Sequence, residues 1–183
     1  MEDTVTLSPP RPSHTHTPPA TDRQPASREA FRDGMAHLAA AVNIITTDGP
    51  GGRAGFTATA VCSVTDSPPT LLVCLNATSS AAEIFGRNSA LCVNTIAASQ
   101  TEIAMAFGGK IPMPERFAGA QWHRDVSGAP VLTGASVAFD CRITDRKEIG
   151  THIVLFCEVL AVAQAGTPSA SVYFARKFHH LEA

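Results

Sequence analysis

Two groups of residues carry the chemistry that this sequence offers. In Gly55-Phe-Thr57-Ala-Thr59-Ala60-Val-Cys-Ser63-Val-Thr65, small and hydroxyl-bearing side chains alternate along one extended run. Asn76, Thr78, Ser79 and Ser80 then gather where a strand gives way to a helix. Free N–H groups and the positive end of a helix favour phosphate. Lys110 and Arg116, in the loop after Phe107-Gly-Gly109, could supply countercharge. Together these residues suit a planar apolar ring with an anionic tail. Close strand packing and a plain helix cap account for the same residues, and spacing alone leaves both readings open.

Other catalytic signatures are absent. There is no G-x-S-x-G elbow, no HExxH and no Walker loop. Gly49-Pro-Gly51 begins like a dinucleotide fingerprint, but Ala54 replaces the third glycine and a strand follows instead of a helix, so it reads as a hairpin turn. The five cysteines (Cys62, Cys74, Cys92, Cys141, Cys157) form no CxxC pair, and most sit in apolar runs. They read as core residues of a protein kept in a reducing compartment, with no metal site.

The elements that must position these groups are mostly strands. Ser27 is an N-cap, and Phe31, Met35 and Leu38 follow at helical spacing to make one apolar face. Strands are expected over 41–47, 55–64, 71–76, 91–96, 152–162 and 171–174. Short helices are expected from Ser79 or Ser80 through Phe85 and over 100–107, and then a proline-bearing loop to Gly119. Val137, Phe139, Cys141 and Ile143 alternate with Ala138, Asp140, Arg142 and Thr144, which predicts a strand with one dry and one wet face. Many short strands without βαβ alternation predict a mainly β protein, a closed antiparallel barrel with a few short helices at its rim.

Composition narrows the class. The chain has 183 residues, 44% apolar and 16% charged, with a formal charge of −2. Such a balance opposes nucleic-acid binding, which needs a basic surface. No apolar run is long enough for a membrane helix, and Met1 to Arg23 lack the apolar stretch of a secretory signal, so a cytoplasmic protein is expected. Residues 1–26 hold six of the 13 prolines among Thr, Ser, His and Arg, and read as a disordered tail, His14 and His16 included. Residues 27–183 form the expected single domain.

Several runs, taken in order, resemble a known family. They are Phe31-Arg-Asp-Gly-Met-Ala, Ala41-Val-Asn-Ile-Ile-Thr-Thr47, Gly55 to Thr65 with Pro68-Pro69, Leu71 to Asn76, Cys92-Val-Asn94, Phe107-Gly-Gly-Lys110, Arg116-Phe117, Gly150-Thr-His152 and Tyr173-Phe174. The chain resembles the flavin reductase components of two-component flavin-dependent monooxygenases, over residues 28–180. Within them it is most similar to the NADH-dependent FMN reductases of pyrimidine (uracil) degradation.

The resemblance implies an FMN-binding split barrel, an antiparallel Greek-key barrel. It implies a homodimer that passes hydride from NADH to FMN and serves a partner monooxygenase by diffusible reduced flavin. FAD in place of FMN stays open, as does NADPH. By position, the strand from Thr57 would carry the flavin, with Thr59, Ala60 and Ser63 on the ring and ribityl chain and Thr65 nearby. Asn76, Ser79 and Ser80 would meet the phosphate, with Phe107 beside them and Lys110, or less strongly Arg116, adding charge. The family's Gly-Asp-His signature stands here as Gly150-Thr151-His152, which makes His152 the nicotinamide-side residue, flanked by Tyr173, Phe174 and Arg176. Two alternatives share this barrel: an oxidoreductase acting on a bound organic substrate, and a non-enzymatic flavin or haem module.

Overall fold

The computed structural model describes residues 24–182. Of the expected tail, residues 1–23 lie outside that range, and 24–26 are exposed chain without regular structure. Helix α1 (Arg28–Ala36) starts where Ser27 Oγ accepts the Ala30 N–H at 3.1 Å, a cap contributing about 1 kcal/mol. Its apolar face is largely uncovered among the described residues: Phe31, Met35 and Leu38 are 62%, 48% and 59% exposed.

The chain then splits the expected 41–47 strand. β1 (Ala40–Ala41) and β2 (Asn43–Thr47) join different sheets, and Val42 turns between them, bonded to Ser171 and Ile96. β3 (Ala54–Ala58) and β4 (Val61–Asp66) likewise replace the single strand expected over 55–64. A turn holding a cis Ser67–Pro68 peptide leads to β5 (Pro69–Asn76). Helix α2 (Ala82–Arg87) has Ala81 at its N-cap, which corrects the expected cap at Ser79 or Ser80. Ser79 Oγ accepts instead from Ala81 N, a turn earlier.

β6 (Ala90–Thr95) and α3 (Thr101–Gly108) follow. The expected loop to Gly119 contains a further short helix, α4 (Met113–Arg116). Sequence reading also misses β7 (Trp122–Arg124), β8 (Pro130–Leu132) and the last strand. β9 (Val137–Ile149) and β10 (His152–Gln164) form a long hairpin, and β11 (Ser169–Phe174) and β12 (Lys177–Glu182) a shorter one.

One antiparallel sheet of seven strands, in the order β3-β2-β6-β9-β10-β5-β4, dominates. Its two edges, β3 and β4, are successive strands separated only by Thr59 and Ala60. A flat sheet cannot satisfy that order. The sheet must roll until its edges meet at one bend, which makes a barrel split along that seam. Inside it pack Ile45, Val73, Leu75, Phe85, Leu91 and Leu155 with Cys141 and Cys157. Outside, α3, α4 and the β7–β8 hairpin cover Ile44, Ile96, Phe107, Phe117 and Leu132.

The outer cover explains a departure on β9. Ala138 and Asp140, expected on a wet face, are buried at 4% and 2% exposure. The hairpin lies over them, and Asp140 accepts from Ser127 N at 2.7 Å and from the Ser127 hydroxyl. Further along, Arg142 and Thr144 do face solvent. The buried Cys92, Cys141 and Cys157 behave as core residues, whereas Cys62 is exposed and Cys74 half-buried.

Candidate functional site

The bend between β3 and β4 opens a cleft of about 450 Å³, within the range of small-ligand sites. Thr57, Thr59, Ala60, Asn76, Ser79, Ser80, Phe107, Arg116 and His152 all line it. These come from five separate stretches of chain, and the rolled sheet brings them together. Ser63 and Thr65 do not line it. Beyond the bend β4 runs along the opposite sheet edge, where both are exposed and Thr65 Oγ1 accepts from Ser67 N at 3.2 Å. Lys110 is exposed one residue past the lining Gly109.

At the bend the backbone has left both ladders. Thr59 O accepts from Val61 N, and Ala60 O accepts from Cys74 N, each at 3.0 Å. The N–H groups of Thr59 and Ala60 have no hydrogen-bond partner among the described residues. The bend therefore offers donors with their own carbonyls already used. Just before the bend, Thr57 Oγ1 donates to Ala104 O at 2.5 Å, which ties β3 to α3. Phe107 is buried against Phe117 and Trp122.

The polar end is built by β5 and the β9–β10 hairpin. Asn76 Oδ1 accepts from both N and Oγ1 of Thr78, each at 2.9 Å. With the carbonyl oxygen thus engaged, its amide NH₂ is the half left for a ligand. Asn76 pairs directly with His152 across the ladder. The turn that delivers His152 has Gly150 at φ +57° and no positive φ at Thr151, the two-residue pattern that places glycine first. Thr151 O accepts from Ala77 N at 3.0 Å, and Thr151 Oγ1 lies 2.9 Å from His152 Nδ1. The other ring nitrogen, Nε2, is the one left for a ligand.

Arg116, read from sequence as a countercharge, is only 8% exposed and spends its donors on carbonyls. Nε donates to Ile111 O at 2.8 Å, Nη1 to Gly55 O at 3.2 Å and Phe107 O at 3.1 Å, and Nη2 to Gly109 O at 3.2 Å.

A second and larger groove, about 1360 Å³, runs between α1 and the β4–β5 edge. It contains Tyr173 and Arg176 and shares Thr59, Ala60 and Cys74 with the cleft. Arg176 pairs with Asp33 at 2.6 Å, and Phe174 lies between the rings of His37 and His179. The three residues expected beside His152 therefore sit on the groove side of the bend.

Gly108 and Gly109 line the cleft but read in the sequence only as a helix stop. Their signal is the pair itself, since two successive side-chain-free residues leave a wall of bare backbone.

Residues 35–182 match the sequence profile of the flavin reductase like domain family. The chain belongs to that family. It is 62% identical over 157 residues to the FMN reductase (NADH) RutF of Stutzerimonas stutzeri, covering 86% of this chain and 90% of the relative. It is 54% identical over 170 residues to the protein of that name from Pseudomonas syringae, covering 93% and 96%. Among solved structures, a candidate flavin reductase of Haemophilus somnus superposes with a TM-score of 0.83 at 45% identity, covering 85% of this chain and all 100% of that one.

Proposed function

We propose that the chain is an NADH-dependent FMN reductase that binds flavin at the β3–β4 bend and serves a partner monooxygenase in pyrimidine degradation. The observation that carries this reading is the pair of unpartnered N–H groups at Thr59 and Ala60, beside a cleft with an amide and two hydroxyls at its far end. The donor set suits a flavin: donors for the ring's carbonyl edge, an apolar wall at Phe56 and Leu75, and neutral donors for a phosphate.

Bound FMN supplies the hydride acceptor, and the electronics of the reaction belong to the cofactors. The chain's own work is placement. The Thr59 and Ala60 amides favour negative charge on the ring edge they face, a preorganised effect that needs no movement at the moment of reaction. Asn76, Ser79 and Ser80 orient the phosphate, and Lys110, on a flexible stem beside Gly109, adds a screened charge. His152, tied through Nδ1 to Thr151, presents Nε2 to the nicotinamide. A site of neutral donors holds flavin modestly, as a diffusible product requires.

The protein acts as a homodimer. An apolar helix face carrying Phe31, Met35 and Leu38, all at least 48% exposed, is large for a free surface. It borders the groove that is continuous with the cleft, so a second copy seated there completes the cleft's open wall. Tyr173, Phe174 and Arg176 reach the pyridine nucleotide from that side. No helix among the described residues is long and apolar enough to cross a membrane, and the cytoplasm is the proposed site of action.

The test is steady-state NADH oxidation by purified protein at rising free FMN. The rate saturates with FMN and is negligible without it. NADH oxidation indifferent to added flavin would refute the reading.

A further inference from the structure

We propose that Arg116 is a positioning residue that shapes the flavin cleft from behind, and is not the countercharge of a phosphate. The inference rests on the flavin reading above and assigns the cleft wall a specific support. A guanidinium has five N–H donors in a rigid planar fork. At Arg116, four bonds run to carbonyls, those of Gly55, Phe107, Gly109 and Ile111. The first belongs to the edge strand β3. The other three alternate along the segment that leaves α3, so this segment wraps the guanidinium on one side. Among the described residues no carboxylate pairs with Arg116. Carbonyl dipoles alone replace the water lost by a cation that is 8% exposed.

The same short helix makes a second tie, because Gly55 N donates to Met113 Sδ at 3.3 Å. Both backbone groups of Gly55 are thus held by α4, which closes an otherwise open sheet edge. The latch ends on the cleft. Gly108 and Gly109 form one wall of it, and a Cβ built on Gly108 would stand 3.7 Å from the Thr57 Cβ, so this segment packs directly on β3. By holding Gly55 O, Phe107 O and Gly109 O together, Arg116 fixes this segment against β3 and so shapes the cleft wall.

A lysine keeps the charge and loses the fork. Its compact ammonium cannot reach four carbonyls spread around a plane. If Arg116 positions the wall, Arg116→Lys and Arg116→Gln weaken FMN and riboflavin alike. The expected loss is about tenfold in flavin affinity, about 1.4 kcal/mol, and it falls on KM for flavin more than on kcat. Flavin fluorescence quenching with both ligands on the full chain reads it. Loss of FMN binding with riboflavin unchanged, or full rescue by lysine, would overturn the proposal in favour of a phosphate countercharge. Unchanged binding of both flavins would overturn it outright. Should Arg116→Gln fail to fold, Arg116→Lys carries the comparison, since it preserves charge and most of the volume.

Hydrogen exchange without flavin separates this proposal from the functional reading. In Arg116→Lys the 107–111 segment exchanges faster than in wild type, with β9 amides unaffected. Equal exchange removes the latch even in an active enzyme. Wild-type protein that binds no FMN removes the functional reading and leaves the latch intact.

Discussion

Replacing Gly55 by alanine places a methyl group where the barrel has no room. A Cβ at that position would lie 2.5 Å from Phe107 Cε1 and 2.9 Å from Ile45 O. Carbon pairs rest at about 3.5–4.0 Å, so the ring must retreat by about 1 Å. Phe107 has nowhere to go, since it is 1% exposed and meets Phe117 and Trp122 at centroid distances of 4.9 and 5.6 Å. Ile45 O is equally fixed, being backbone of β2 facing β3 in the ladder. Overpacking of this kind costs about 3 kcal/mol, the upper part of its usual range. For a chain of this length that lowers Tm by about 6–12 °C. The same displacement moves Gly55 O away from Arg116, so flavin binding weakens in whatever protein remains folded. Thermal unfolding by circular dichroism measures it, beside Gly34→Ala as control. A Cβ at Gly34 meets nothing within 4 Å in the last turn of α1, and there alanine gains up to about 0.5 kcal/mol. A Gly55→Ala protein melting within about 2 °C of wild type would refute the packing argument.

Four further outcomes are expected. His152→Ala slows NADH oxidation and leaves the Kd for FMN nearly intact, as stopped-flow mixing would read; an unchanged rate removes the histidine from the reaction. Phe31→Glu with Leu38→Glu yields a monomer by sedimentation, with weakened flavin binding; a persisting dimer places the interface elsewhere. Asn88→Ala removes a buried amide that accepts from Gly51 N and donates to Thr47 Oγ1 and Gly52 O, costing about 2–4 kcal/mol in urea denaturation; a loss below about 1 kcal/mol shows that the loop relaxes. Burial pushes the Cys157 thiol up to about 12 and raises Cys92 and Cys141 as well. These thiols stay protonated in the fold while the unfolded chain loses protons above its ordinary cysteine range. Stability is therefore full below about pH 8.5 and falls toward pH 12, by about 1.4 kcal/mol per pH unit for each thiol. Urea melts at pH 8 and 10 check the sign, and equal midpoints refute it.

The individual strands were legible because their sides differ locally. Leu71 to Asn76 and His152 to Val162 need only a neighbour on each side, and their composition says so. The bend at Thr59-Ala60 left no mark, since two small residues fit an extended strand as readily as a corner. What forces the corner is that β3 and β4 must occupy opposite sheet edges, a demand that arises only when all seven strands are paired. For that reason Ser63 and Thr65 lie on β4, outside the cleft. Asp140 looked like a wet position because its cover, the β7–β8 hairpin, consists of three-residue strands too short for any periodicity. β12 reads Lys-Phe-His-His-Leu-Glu, which carries no alternation. Asn76, Ser79, Ser80 and His152, which residue type alone singles out, line the cleft. Arg116 was read by charge, and nothing in a sequence tells which carbonyls will surround a cation.

The bend accounts for three properties of the site at once. It ends the ladders of two strands, and so leaves the Thr59 and Ala60 N–H groups unspent. It sends the chain from one sheet edge to the other, and so brings Thr57, Asn76 and His152 to a single cleft. It also leaves Thr59, Ala60 and Cys74 common to that cleft and the apolar groove. A donor in a continuous strand would be consumed by its neighbour, as where the β2–β3 ladder sets Phe56 against Ile45. On the proposed reading, a site that holds a flavin ring edge through backbone N–H groups needs a strand that stops pairing in mid-course. The barrel supplies one by requiring its edges to be the two halves of one segment.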